Sequence, residues 1–425
     1  MMGGIIILLL FVFIAFCVPV VFSLGFAGLS YFLVKGISLE TFAQRIVVGV
    51  DSFALLAAPF FILAGNIMNT GGVTRRIFRF ANSLVGHLRG GLGHVNVLGS
   101  MFFAGMSGTA IADAAGLGAI EIKAMTEQGY DTEFSAAVTA SSAIIGPIIP
   151  PSTVMVIYGV TAGVSISQLF MGGILPGIMI GILLMLMVAY YARKNNYPKS
   201  NRFSLKELAL SFLDTVWALI TPVIIIGGVL GGICTPTEAG AISAAYALFI
   251  SLFVYRELKL KDVPKILFDS MITSGVILLI VSTASVFGWC LTYERLPQKV
   301  AAALSTMINS KALLLAVLVV IYLFLGMIME TSAIVITTVP IFVPVLKGMG
   351  VDLVYFGVIL ALLMSIGTIT PPVGTVLFII AKITKIPIER LTKVMLPWYG
   401  ILLAAVVLLI LFPRIILFIP GLMAK

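Results

Sequence analysis

Gly146-Pro147-Ile148-Ile149-Pro150-Pro151 interrupts an apolar stretch that would otherwise read as one helix, and a second interruption 221 residues later ends in Pro371-Pro372. Prolines remove amide donors and clash with the preceding turn, so the helix must unwind at both places. Working outward, Gly105-Met106 stands 45 residues before the first proline pair, and Gly326-Met327 stands 45 before the second. At the same offset Gly129 answers Gly350, Asp131 answers Asp352, Gly146 answers Gly367, and Leu175-Pro176 answers Leu396-Pro397. Glycine and proline set backbone geometry, so a repeat that keeps them while other side chains drift marks a duplicated architecture.

The composition says where such an architecture lives. A chain of 425 residues that is 60% apolar and 10% charged is a polytopic membrane protein, not a soluble globule. Apolar runs at Ile5 to Val34, Phe53 to Met68, Leu169 to Tyr191, Trp217 to Cys234, Ala239 to Tyr255 and Val394 to Leu411 approach or exceed the ~20 residues of a spanning helix. The net charge of +9 is scattered among loops, which argues against a nucleic-acid partner. Cys17, Cys234 and Cys290 are isolated, without metal spacing, and read as buried thiols. No cleavable signal peptide is expected, because the first apolar run is too long and lacks a basic start.

Taken in order, the sequence predicts an all-α inverted-repeat fold with two re-entrant hairpins and two broken helices. Residues 1–91 form first-half scaffold helices, with an interfacial amphipathic arm at 37–50. Residues 92–192 hold a hairpin (92–126), a broken helix (134–163) and a following helix (168–192). A cytoplasmic connector (193–216), with Glu207 and Asp214 solvated, leads to second-half scaffold helices (217–310) and a second arm at 258–271. Residues 311–425 repeat the hairpin (311–347), the broken helix (354–381) and a final helix (394–412). Each hairpin arm is roughly 24 Å long at 1.5 Å per residue, short of the ~30 Å hydrocarbon core, so it enters and leaves on one side. Thr235-Pro236-Thr237-Glu238 is a capping box opening a helix.

Inversion of the second copy assigns 18 Lys and Arg to the cytoplasm and 8 to the outside, summing to the full 26. The N-terminus is then cytoplasmic and the C-terminus periplasmic. Paired interrupted segments in matching positions point to a transporter binding site near the midplane. The hairpin tips, Ser107-Gly108-Thr109-Ala110 and Met329-Glu330-Thr331-Ser332, should each face the unwound segment of their own half. Oxygens freed by unwinding suit a hard cation, and sodium is the expected guest. The candidate sodium ligands are Ser107, Gly108, Ser142, Gly146 and Pro147 in one group, and Met329, Thr331, Gly367, Thr370 and Val373 in the other. Thr109, Pro151, Ser152, Ser332, Pro372 and Gly374 beside them are the candidate substrate contacts.

Glu330 is a deep acid, either an ion partner, a proton relay or a helix N-terminal cap. Asp113 and Glu121 are expected to face the hydrated interior or the cytoplasmic end. Two other readings stand beside sodium-coupled transport. One is a proton-coupled carrier using Glu330. The other is an intramembrane serine protease using Ser107 with His87 or His94 as base. ATP-driven pumping is excluded, since no lysine follows a glycine and no phosphate loop exists.

Gly231-Gly232-Ile233-Cys234-Thr235-Pro236-Thr237-Glu238-Ala239, Ile145 to Ser152 and Thr370-Pro371-Pro372-Val373-Gly374 resemble the large membrane subunit of tripartite ATP-independent periplasmic transporters over essentially the whole chain. Cys234 stands where an aromatic residue is usual. The resemblance implies an elevator transporter in a bacterial inner membrane, not an enzyme, driven by two or more sodium ions and using no nucleotide. It also implies a small four-helix membrane subunit, a periplasmic substrate-binding protein and a carboxylated substrate such as sialic acid, a C4-dicarboxylate or another organic acid.

Overall fold

The computed structural model describes residues 2–16, 18–307 and 310–423. Cys17 and Lys425, counted above, lie outside the described residues. Within them the chain is helical throughout, without strands, and eight helices are long and apolar enough to cross a bilayer.

The first apolar run is two helices, not one. Helix α1 (Met2–Ala15) and α2 (Val20–Lys35) meet at Pro19, which cannot continue the first helix but fits just ahead of the second. Next come α3 (Leu39–Val48), capped by the Ser38 hydroxyl, then α4 (Ala57–Thr70) and α5 (Val73–Val85). The first hairpin has an entering arm α6 (Gly91–Ser107) and a returning arm divided at Gly116 into α7 (Ala110–Ala115) and α8 (Leu117–Glu127). The broken helix follows as α9 (Thr132–Ala143) and α10 (Thr153–Ala162), with the proline segment between them, and α11 (Ile166–Lys194) closes the half.

The connector is shorter than expected. Helix α12 (Leu205–Leu230) starts well before Trp217, and its first turns carry Glu207 and Asp214 against α5. There Arg79 Nε donates to Glu207 Oε1 at 2.8 Å and Arg76 Nε to Asp214 Oδ1 at 3.1 Å, so these acids are ion-paired. The capping box opens α13 (Pro236–Phe249), where Glu238 N donates to Thr235 Oγ1 at 3.3 Å and Thr235 N to Glu238 Oε2 at 2.7 Å. The second arm is not separate. Residues 260–262 form a 3-10 turn that runs directly into α14 (Val263–Tyr293), because nothing after Pro264 breaks the helix.

Helix α15 (Leu296–Met307) precedes the second tip, which joins α16 (Lys311–Ile328) to α17 (Thr331–Gly348). The second broken helix is α18 (Leu353–Thr368) and α19 (Thr375–Thr384), followed by α20 (Ile388–Leu411) and an additional α21 (Arg414–Met423). Both proline pairs are joined by cis peptides.

Packing exchanges elements between halves. Helix α10 packs on α17, and reciprocally α19 packs on α7 and α9. At the centre, α18 is buried from Val354 to Gly367 on every face, which is why its sequence is apolar all round. In lipid the apolar effect does not press helices together, so close approach through small residues does. Gly326 and Gly367 show it, since a Cβ on Gly367 would stand 2.8 Å from the Gly326 backbone. Helices α4, packed on α13, and α14, packed on α2, flank the tips from the other side.

Candidate functional site

The two tips share one cavity of about 300 Å³. Its walls are α4 and α14 on one side, and the tips with the ends of the broken helices on the other. Five of the sixteen candidate residues line it: Ser107, Thr109 and Pro147 from the first half, and Thr331 and Ser332 from the second. Glu330 lines it too, and among the described residues is the one ionisable residue that does.

Each first-half residue has a local reason for its place. Helix α6 ends at Gly108, whose φ of +64° reverses the chain. That glycine presses on the unwound segment, because a Cβ there would lie 2.6 Å from the Pro151 carbonyl oxygen. Gly108 O in turn accepts from Thr153 Oγ1 at 3.4 Å. Gly146 plays the matching part, its missing Cβ leaving 3.0 Å to Thr109 O. Thr109 caps α7 by accepting from Ala112 N at 3.2 Å. Ser107 Oγ is buried and has no hydrogen-bond partner. Gly65 on α4 lets the scaffold reach it, since a Cβ there would stand 3.2 Å from Ser107 Cα. An unsatisfied buried hydroxyl beside a cavity is an available ligand.

Two expected first-half ligands are engaged elsewhere. Ser142 Oγ donates to Asn96 Oδ1 at 2.7 Å, on the side of α9 facing α6. Ser152 caps α10 and donates to Pro147 O at 2.5 Å, which ties off the carbonyl counted as free.

The second half departs further. Met329, Gly367, Thr370, Val373, Pro372 and Gly374 do not line the cavity. Thr370 Oγ1 bonds back to Ile366 O at 2.7 Å, the ordinary fate of a helix threonine. Pro372 and Val373 are exposed at the surface of the chain. Val373 N donates to Met327 O at 3.1 Å, so the tip still touches the break, but outside the cavity. Beside this contact α16 and α18 cross closely at Gly326 and Gly367.

Glu330 is the N-cap of α17. Its carboxylate accepts from Ser332 N at 2.8 Å, Ala333 N at 3.1 Å and Ser332 Oγ at 3.1 Å, while its surface stays open to the cavity. Asp113 and Glu121 face neither the cavity nor the cytoplasm, being sealed between hairpin arms. Sequence reasoning missed Asn66, Asn69, Thr273, Ser365 and Thr368, all on the cavity wall. Asn66 and Asn69 lie one helical turn apart on the apolar α4, a signal that would have found them. Asn66 Nδ2 donates to Ser270 Oγ at 2.8 Å, tying α4 to α14, and Asn69 Nδ2 to Ala112 O at 3.3 Å, tying α4 to the first hairpin.

Neither histidine stands near Ser107. His94 is 13 residues earlier on the same helix, ~20 Å away at 1.5 Å per residue, and His87 packs its ring on Phe203. Among the described residues no group of acids, histidines and cysteines forms a metal centre. A wider open cleft of about 570 Å³ lies where α9, α11 and α20 meet, walled by Tyr191, Tyr197 and Trp398, and none of the tip residues reaches it.

Comparison with known proteins identifies the family of this chain. The tripartite ATP-independent periplasmic transporter DctM component matches residues 7–415. The chain is 42% identical over 405 residues to the sialic acid TRAP transporter large permease protein SiaM of Vibrio cholerae, covering 95% of each. It is 42% identical to the sialic acid TRAP transporter permease protein SiaT of Haemophilus influenzae, covering 96% of this chain and 66% of that longer protein. Against the 2,3-diketo-L-gulonate TRAP transporter large permease protein YiaN of Escherichia coli the identity is 40%, with 95% of each covered. Among solved structures, MtrF of Neisseria gonorrhoeae superposes with a TM-score of 0.63 at 17% identity over 88% of this chain and 84% of that one. The YdaH transporter of Alcanivorax borkumensis gives 0.60 at 16% identity over 88% of each. The chain belongs to the DctM component family of tripartite ATP-independent periplasmic transporters, the large permeases of these systems.

Proposed function

We propose that this permease imports a small carboxylate in symport with sodium, by an elevator movement of the hairpins and broken helices against the scaffold. One observation carries the proposal: the shared cavity holds the Glu330 carboxylate and an unpartnered Ser107 hydroxyl, and no lysine, arginine or histidine lines it. An anionic cargo entering beside Glu330 meets like charge in a low-dielectric space, so cations must enter with it. Oxygen donors from Ser107, Thr109 and Thr331 suit sodium. By reciprocity, sodium and substrate then raise each other's affinity.

The elevator reading rests on where the cavity lies, between α4 and α14 of the scaffold and the tips. The reciprocal packing of α10 on α17 and α19 on α7 supports a two-fold relation between the halves, as an inverted repeat requires. The small membrane subunit and periplasmic binding protein follow from the family. Two of the compared relatives are named for sialic acid and one for 2,3-diketo-L-gulonate, which makes sialic acid the first substrate to test. A proton relay through Glu330 has no second titratable group on the cavity wall to pass to.

The test is uptake in proteoliposomes holding both membrane subunits, with the binding protein outside. Uptake should require an inward sodium gradient and the binding protein. Undiminished uptake with choline in place of sodium removes the ion assignment.

A further inference from the structure

Asp113 and Glu121 lie on the returning arm of the first hairpin, on either side of the break at Gly116. They are 1% and 0% exposed, and none of their four carboxylate oxygens has a hydrogen-bond partner. The two acids are electrostatic neighbours, and Ser100 borders Asp113. Glu121 sits where α6 has no side chain, since a Cβ on Gly99 would stand 2.9 Å from its Oε1. Behind them runs a satisfied network: Asn96 Nδ2 donates to Thr139 Oγ1 at 2.7 Å, Ser142 Oγ to Asn96 Oδ1 at 2.7 Å, and Ser100 Oγ to Ser142 Oγ at 3.1 Å. This pocket is separate from the midplane cavity, which Ala112 and Ala115 face from the same arm.

Among the described residues no positive charge answers the pair. On α8 itself, Lys123 is exposed and pairs with Glu127. On α5, Arg75 and Arg76 are held by Glu257, with Arg76 also on Asp214, and Arg79 by Glu207. On α9, Glu133 is paired with Arg390, and on α19 Lys382 is exposed. Helix α6 offers His94, which is buried beside the Arg89 backbone, and α4 carries no ionisable residue. Two bare carboxylates in a dry interior are strongly unfavourable unless something neutralises them.

We propose that Asp113 and Glu121, with the Ser100 hydroxyl, form a second cation site inside the first hairpin, taking a small hard cation, a sodium ion or a proton. The donors are all oxygen, as such a cation prefers. The site does not depend on sodium binding in the midplane cavity.

The test uses the purified full-length chain and its thermal unfolding midpoint. Sodium is titrated against choline at constant ionic strength, at pH 6 and at pH 8. A cation held only by the folded state raises the midpoint in proportion to its occupancy. The wild type should respond to sodium or to acid. Asp113→Asn and Glu121→Gln, neutral and nearly isosteric, should lose the part of that response that Ser107→Ala leaves in place, and be more stable than wild type in sodium-free buffer at pH 8. Loss of the sodium response assigns sodium, and loss of the pH response alone assigns the proton. Gly99→Ala keeps both charges but crowds Glu121, and should shift the titration about tenfold toward higher cation concentration. Ser107→Ala should leave this response in place, separating it from any sodium site in the cavity. Asp113→Asn and Glu121→Gln retaining the full wild-type response to both sodium and pH, with Gly99→Ala unshifted, would overturn the assignment.

Discussion

Gly108→Ala tests the contact on which the cavity is built. Gly108 sits at φ +64°, where an L-residue costs about 1–2 kcal/mol. An added Cβ would also lie 2.6 Å from the Pro151 oxygen and 3.2 Å from its carbonyl carbon, backbone atoms that cannot swing aside. Gly163 supplies the control, with φ +66° and nothing within 4 Å of its added Cβ. Both variants bear the dihedral cost, and only Gly108→Ala bears the overlap, about 1–3 kcal/mol by analogy with overpacked cores. The easiest relief is for the tip to lift off the unwound segment. A coupling of that size moves the docked-to-lifted equilibrium roughly 5–150-fold. Initial uptake rates into sodium-free proteoliposomes with sodium and the binding protein added outside, with thermal midpoints measured in parallel, resolve the two costs. Both variants should lose similar small amounts of stability from the dihedral, while Gly108→Ala also loses most uptake and needs more sodium for half-maximal rate. If Gly108→Ala transports as well as Gly163→Ala, the tip does not rest on the break and the site as drawn is wrong.

Three further outcomes are expected. Ser107→Ala removes a hydroxyl that bonds nothing, so its thermal midpoint should hold or rise while half-maximal sodium rises severalfold; a drop in stability with unchanged sodium dependence contradicts the ligand role. Glu330→Gln keeps a cap oxygen but removes the cavity's charge, and should weaken sodium dependence at every pH, whereas a shifted pH profile with intact sodium dependence would reinstate the proton carrier. Outside the membrane, burial tends to raise the Glu257 carboxyl, but hydrogen bonds from Arg76 and Arg75 outweigh it and hold it below its ordinary 4.5. A lowered folded value means stability present above the ordinary value and lost as pH falls through the folded one. Glu257→Gln should therefore lower the thermal midpoint at pH 7, and its deficit should shrink below about pH 4; a constant deficit would show that the pair contributes no charge.

Much of the fold was legible because its decisive features are backbone features. Pro150-Pro151 and Pro371-Pro372 forbid helix wherever the rest of the chain lies, and Gly108 ends the entering arm by its own conformation. The Thr235 capping box is equally local, four residues satisfying one another. The Pro19 break was just as readable but was passed over in favour of hydropathy. The length of α14 was not, since nothing in residues 258–271 distinguishes a surface arm from the first turns of a spanning helix.

The sequence by itself determined a helical membrane protein with two unwound segments and two polar tips, because each of those is a constraint on a few consecutive residues. Tertiary structure alone decided which oxygens meet. It turned Asn66, Asn69 and Thr273 into the cavity, turned Ser142 away to Asn96, carried Pro372 and Val373 to the surface, and buried the Asp113 and Glu121 carboxylates without a hydrogen-bond partner. Which face of a helix meets a neighbour depends on its rotation and crossing against helices distant in the chain, and that sum of many contacts is written in no single stretch of it.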